Sequence, residues 1–326
     1  MCVDSNSSSP TVIHVIPQDN GTDIIFQGIE VGGVTSLGDV VFVVRNRRGK
    51  LRPSQYKYYD DFKRSKKEEK LAKSQQEIEV YDAKTFILQR HIKVPGLGQS
   101  YGLAACPHNN CLYASDFNND RVHRVELSGN NAVMKWSVAP SPRGLSVNSE
   151  HNLLVVSLDW RKLQIFTTAG YPLQDIQLQA DIQYPSHAVQ LPTGQYLVSH
   201  YGSLHRVCFV GVDGAVVRSY GGQHGSQLTQ MHEPEGLAVD REGRVLVAGW
   251  RNNRLLVIDQ SLSSAHEMSV RADGGLNRPY SLWYDQSCRR LYIGEWPVGR
   301  VIVIDNLKDF TAAQVNAYQH RVKRGS

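Results

Sequence analysis

One pattern returns along this chain at intervals of 42 to 49 residues, and it narrows the possible folds more than any other feature. Its clearest copy is "EPEGLAVDREGRVLVAGWRNNRLLVID", residues 233 to 259. Three short apolar runs, Gly236 to Val239, Val245 to Ala248 and Leu255 to Ile258, are separated by the turn-forming clusters "DREG" and "GWRNN". Short β-branched runs bounded by Gly and Asn read as buried strands. Polar and apolar positions alternate poorly in the second and third runs, so both faces of those strands are expected to be covered.

Further copies start at Tyr101, Pro142, Pro185 and Pro279. Their equivalent positions, Gly102, Gly144, His187, Gly236 and Ser281, are spaced by 42, 43, 49 and 45 residues, and a weaker sixth copy starts at Gly32. A period in the forties with about four strands per unit is the mark of small sheets set radially around a channel. The expected fold is all-β: a six-bladed β-propeller with four-stranded antiparallel blades. "TVIHVI" (Thr11 to Ile16) is an orphan strand ahead of the first copy, and the last copy has three clear strands ending near Asp305. The N-terminal strand is therefore predicted to complete the last blade. Residues 1–10 are expected to be a flexible N-terminus, 11–310 a single propeller and 311–326 a tail.

The pattern P-x-G-L-A-V-D, followed by V-L-V-A and then N-x-R before the third run, resembles the NHL repeat. The resemblance spans Gly32 to Asp305 and is strongest in the copies at Pro234 and Tyr101. Gly249 stands where the family has Asp, and His187 and Ser281 stand where it has Gly. The resemblance implies a six-bladed propeller of the kind found in tripartite-motif NHL proteins and their RNA-binding relatives. A fold hosts many activities, so function must be argued from the site.

A hydrophobic content of 41% suffices for a core, and no apolar run reaches the length of a membrane span. The start "MCVDSNSSSP" lacks the basic and apolar regions of a signal peptide, and five cysteines make no disulfide framework. A cytoplasmic location is the expectation, with a monomeric propeller and no membrane partner. Cys106 and Cys111 flank the turn "PHNN" and face each other across a hairpin. Reduced thiols, a local disulfide and a C-x4-C metal clip are the alternatives there. Cys208 lies in an apolar run and is expected in the core.

Antiparallel bookkeeping puts the start of each first strand and the end of each second strand at one end of the blade. One common face, the top, should then gather Tyr101, Arg143, Ser186, Glu235 and Tyr280 from the strand starts. The turns contribute Asp116-Phe117, Asp159-Trp160, His200-Tyr201, Gly249-Trp250 and Glu295-Trp296. The Pro142 copy has a turn one residue shorter than the others. Five aromatics in equivalent turns form a partial ring, which either stacks on a ligand or packs between blades. The candidate ligand-binding residues are Tyr101, Asp116, Phe117, Arg143, Trp160, His187, His200, Tyr201, Glu235, Trp250, Arg251, Tyr280, Glu295 and Trp296.

The sixth turn is an insertion. Residues 46 to 77 hold 11 Lys or Arg and 5 Asp or Glu, a net +6 against +5 for the whole chain. The rest of the propeller is thus close to neutral. The insertion reads either as a solvated loop or as a clamp for an anionic partner.

Six-bladed propellers also include metal-dependent lactonases and esterases, and relatives that act as lyases. Only one of the strand-start positions is acidic, Glu235, and one is cationic, Arg143, so no hard-cation site is expected. His187 and His200, which antiparallel pairing could bring together with His205 beyond, are the material for a hydrolase or lyase site. No third ligand is forced by spacing, and no catalytic residue, metal or cofactor is assigned. The leading expectation is a non-enzymatic recognition domain that binds a protein segment or single-stranded RNA on the top face.

Overall fold

The computed structural model describes residues 13–16, 29–47, 76–270, 272, 275–296, 298–305 and 307. Among these, the strands form six four-stranded antiparallel sheets. The innermost strand of each sheet touches that of the next, and the sixth touches the first, so the sheets close into a six-bladed propeller. Blade 1 opens with Ile29–Leu37, blade 2 with Leu103–Cys106, blade 3 with Pro142–Val147, blade 4 with Pro185–Gln190, blade 5 with Pro234–Val239 and blade 6 with Pro279–Asp285.

Blade 6 takes its outermost strand from the other end of the chain. Ile13–Ile16 pairs antiparallel with Val301–Ile304, from Ile13 opposite Ile304 to Ile16 opposite Val301. The expectation that an N-terminal strand completes the last blade holds. In blade 1 the second strand (Val40–Arg47) ends, and the third (Glu77–Asp82) begins, at the two ends of the basic insertion. Residues 48–75 of that insertion lie outside the described residues, as do 1–12 and 308–326.

The core lies between blades. Phe42, Val44, Ile78 and Val80 of blade 1, for example, pack on Leu103, Ala105, Leu112 and Ala114 of blade 2. Each sheet is therefore sandwiched on both faces, which explains the missing polar–apolar alternation in the middle strands. Near the channel the sheets approach until no side chain fits. A Cβ on Gly102 would lie 2.3 Å from the Arg143 carbonyl oxygen, which is why this position of the repeat favours glycine.

The start of the repeat has a second consequence. The pairing register of the inner strand slips at Pro142/Leu145, Pro185/His187, Pro234/Leu237 and Pro279/Ser281, and likewise at Val31/Gly33 in blade 1. Such a bulge re-aims the extra residue, here Arg143, Ser186, Glu235 and Tyr280, toward the channel mouth. The residues just before these prolines, Ser141, Tyr184, Glu233 and Arg278, all have left-handed backbones, with φ of 44–58°. This costly geometry is anchored: the carbonyls of Ser141, Glu233 and Arg278 accept the N–H groups of Leu158, Trp250 and Trp296. Strand start and second-strand turn are thus tied together on the top face.

Candidate functional site

At the centre of the top face the bulges bring Arg143 and Glu235 together. Arg143 donates from Nη1 to Ser186 Oγ (2.9 Å) and Tyr201 Oη (2.8 Å), and from Nη2 to Tyr280 Oη (2.9 Å). Its Nη1 lies 3.5 Å from Glu235 Oε2, and Ser186 donates its hydroxyl to the same carboxylate. The guanidinium also stands 5.6–5.8 Å from the ring centres of Tyr101, Tyr201 and Tyr280. Burial opposes the Arg143 charge, but Glu235 and the tyrosine oxygens outweigh it and hold the group well above its ordinary value. Burial pushes the Glu235 carboxyl up to about 7, with Arg143 pulling the other way.

Aromatic rings roof this pair. Tyr101 meets Phe117 edge-on at 5.1 Å and stacks on Trp296 at 5.9 Å, while Tyr280 lies 5.1 Å from Trp296. With Leu158 they make one buried cluster, against which Tyr184 and Trp250 pack partly buried. Of the two readings of the aromatic ring, Phe117 and Trp296 follow the packing one. In blade 3 the inward place belongs to Leu158, whose N–H donates to Ser141 just as that of Phe117 donates to Gln99. Trp160, two residues further on, does not join the cluster: the second strand ends at Ser157, so Leu158 opens a four-residue turn as long as those of blades 2 and 5, and the expected shorter turn is not found. Trp160 is 55% exposed, faces Lys162 at 5.6 Å and borders an open cleft with Arg161, Gln177 and Leu178.

What remains open on this face is a half-buried shelf. Trp250 starts a short 3-10 turn (Trp250–Asn252) that Asn253 ends in a left-handed conformation. Its ring lies between Arg251, at 4.7 Å, and Arg278, at 5.4 Å. Tyr201 tilts against Tyr184 at 5.6 Å. The acidic candidates are committed to holding turns. Asp116, fully buried, binds the Asn119 amide and His123 Nε2, each at 2.9 Å. Glu295 takes Arg300 and the Asn277 N–H.

His187 and His200 do not form a joint site. In the strand register His187 faces Ser199, whereas His200 faces Pro185. The His187 ring fills the position that glycine has elsewhere and enters the channel, leaving a cavity of about 30 Å³, room for a water molecule or so. Its Nε2 lies 3.2 Å from the Leu145 carbonyl, and its Nδ1 accepts the Leu237 N–H at 3.2 Å, so one neutral imidazole staples blades 3 and 5 across blade 4. His200 accepts from Arg206 Nε at 2.9 Å and lies 3.5 Å from Cys208. Burial lowers both imidazoles to about 4. Among the described residues no group of three His, Cys, Asp or Glu side chains is placed to hold a metal ion. Cys106 and Cys111 are cross-strand partners, and both are buried free thiols.

Sequence spacing gave no sign of another cluster, in which His205, His224 and His232 converge beside Tyr201. The three come from a strand and the two ends of a loop, and no periodicity links them.

No family model matches the chain. "Protein brain tumor" of Drosophila melanogaster is 25% identical over 131 residues, 39% of this chain but only 12% of that protein's length. Among solved structures, a Bacteroides thetaiotaomicron protein of unknown function has a TM-score of 0.64 at 13% identity, covering 91% of this chain and 76% of that one. Virginiamycin B lyase from Staphylococcus aureus gives 0.58 at 8% identity over 91% of this chain and all of that one. A chain of the nidogen/laminin complex gives 0.56 at 14% identity, covering 78% and 84%. At such identities the likeness shows the propeller fold alone. No helix among the described residues is long and apolar enough to cross a membrane.

Proposed function

We propose that this chain is a non-enzymatic recognition propeller whose top face binds a protein segment, acting as a monomer in the cytoplasm. The observation that carries the reading is a shelf of aromatic rings beside cations most of which are already matched by carboxylates. Arg143 pairs with Glu235, Arg251 with Glu233, Arg206 with Asp181 and Arg300 with Glu295. A phosphate backbone would have to displace those carboxylates, whereas a peptide of mixed charge can exchange with them. Half-buried aromatics beside arginine are the usual anchors of peptide recognition. The partial likeness to "Protein brain tumor" supports a binding domain, in line with the NHL resemblance of the repeats.

Single-stranded RNA is the second reading, favoured by the Arg251 and Arg278 guanidiniums beside the Trp250 ring, cations that attract a phosphate backbone. A hydrolase or lyase site at His187 and His200 draws no support, since the ring nitrogens of His187 are both engaged by backbone.

Selection from a random peptide library, set beside binding to random single-stranded RNA across a salt series, tests the proposal. Peptides that bind wild type and lose the Trp250→Ala variant, with a shallow salt response, are expected. Tight RNA binding that falls steeply with salt, with no peptides selected, would replace this reading with the second.

A further inference from the structure

The connection between blades 4 and 5, residues 223 to 232, carries two of three histidines that meet at the rim of the top face. The rings of His205, His224 and His232 lie 5.6–5.8 Å apart in all three pairings. His205 is buried on the strand His205–Val210, His232 is half-buried and His224 is exposed. The Nδ1 of His205 accepts the Glu233 N–H at 2.9 Å, so that nitrogen carries no proton in the closed arrangement.

The same connection is held against the Trp250 turn. Asn252 donates to the Gly225 carbonyl, Arg254 to those of Ser226, Gln227 and Gln230, and the Arg251 N–H to that of His232.

We propose that residues 223 to 232 form a proton-operated flap: protonating His205 removes the acceptor for the Glu233 N–H, crowds cations into one cluster, and releases the connection from the Trp250 turn.

The surroundings offer an added proton little compensation. From the loop before its strand, His205 faces the Tyr201 ring at 6.4 Å and the Gly202 carbonyl. From the connection it faces His224, His232 and Glu233. The Glu233 carboxylate is already bound by Arg251, whose charge adds to the repulsion. Arg206, next on the strand, is engaged with His200 and Asp181. Burial first, then the charges of His232 and His224, hold His205 at about 4. Burial and Arg251 lower His232 as well. An imidazole released to solvent titrates near its ordinary value of about 6.5. The closed flap is therefore favoured above that value and loses its advantage as pH falls toward 4.

Hydrogen exchange of the full chain at about pH 7 and about pH 5, corrected for the intrinsic exchange rate, tests the flap. The His205 shift to about 4 predicts a roughly 20-fold rise in the local opening of residues 223–232 over that interval. His205→Asn should remove the pH response. If that variant fails to fold, His224→Gln combined with His232→Gln, at less buried positions, should blunt it. Equal protection of the connection at the two pH values overturns the proposal. So does a rise that His205→Asn leaves in full, which would assign the acid sensitivity to His187 and His200. Only the consequence for ligand access rests on the recognition reading. A flap that opens in acid while peptide binding stays unchanged would sink that reading of the top face and leave the flap standing.

Discussion

Arg143 and Glu235, 92 positions apart in sequence, form an ion pair at the channel mouth with a closest approach of 3.5 Å, both buried under aromatic rings. Each is the residue thrown inward by a register slip after a proline. The pair locks blade 3 to blade 5, and through Tyr280 to blade 6.

Arg143→Met should therefore cost about 3–5 kcal/mol near pH 8, because it strands a buried carboxylate. Near pH 6 the cost should be smaller, since Glu235, already raised to about 7, can take up a proton instead. The double variant Arg143→Met/Glu235→Gln should recover part of the loss at the higher pH. Denaturant unfolding at both pH values gives the comparison, and a pH-independent cost would contradict it.

Deleting residues 1–17 removes the partner of Val301–Ile304 and leaves an apolar strand with an open edge. A fall of roughly 5 °C or more in Tm, with aggregation, is expected by calorimetry and light scattering. An unchanged Tm would mean that blade 6 does not need this strand.

Trp250→Ala should weaken selected peptides by about tenfold or more, as expected for an aromatic anchor, while lowering stability little at a half-buried site. Trp296→Ala, in the buried cluster, should instead lower Tm clearly. Equal effects of the two on binding and on Tm would erase the distinction between shelf and floor.

His187→Ala leaves the Leu237 N–H and Leu145 carbonyl without their imidazole and should cost about 2–4 kcal/mol. Because the folded value of about 4 lies below the ordinary 6.5, wild type binds fewer protons folded than unfolded between those values. Its stability should thus fall as pH drops through that window, and His187→Gln should flatten part of the slope. Tm profiles of the two proteins check this, and parallel profiles would refute it.

The fold was legible because propeller geometry is local and repeated: a period of forty-odd residues with short strands in every copy states it blade by blade. Ring closure through Ile13–Ile16 was legible as well, from one unpartnered strand and one blade short of a strand. The site was read less well, for reasons of distance. Whether an aromatic faces solvent or its neighbours is decided across the channel, where Tyr101 meets Trp296, and no window of sequence contains both. Trp160 was placed by taking Asp159 as the end of its strand; the strand ends at Ser157, and Leu158 occupies the inward position. The role of His187 turned on hydrogen bonds to blades 3 and 5, which strand pairing within blade 4 does not reveal.

Because Ile13–Ile16 closes on Val301–Ile304, the first described strand of the propeller to leave the ribosome pairs with the last. At synthesis rates of about 5–20 residues per second, the 284 residues between Ile16 and Val301 take roughly 15–60 s. Throughout that interval the nascent ring is a horseshoe with two sticky ends, and its final latch is a matter of timing as much as of affinity.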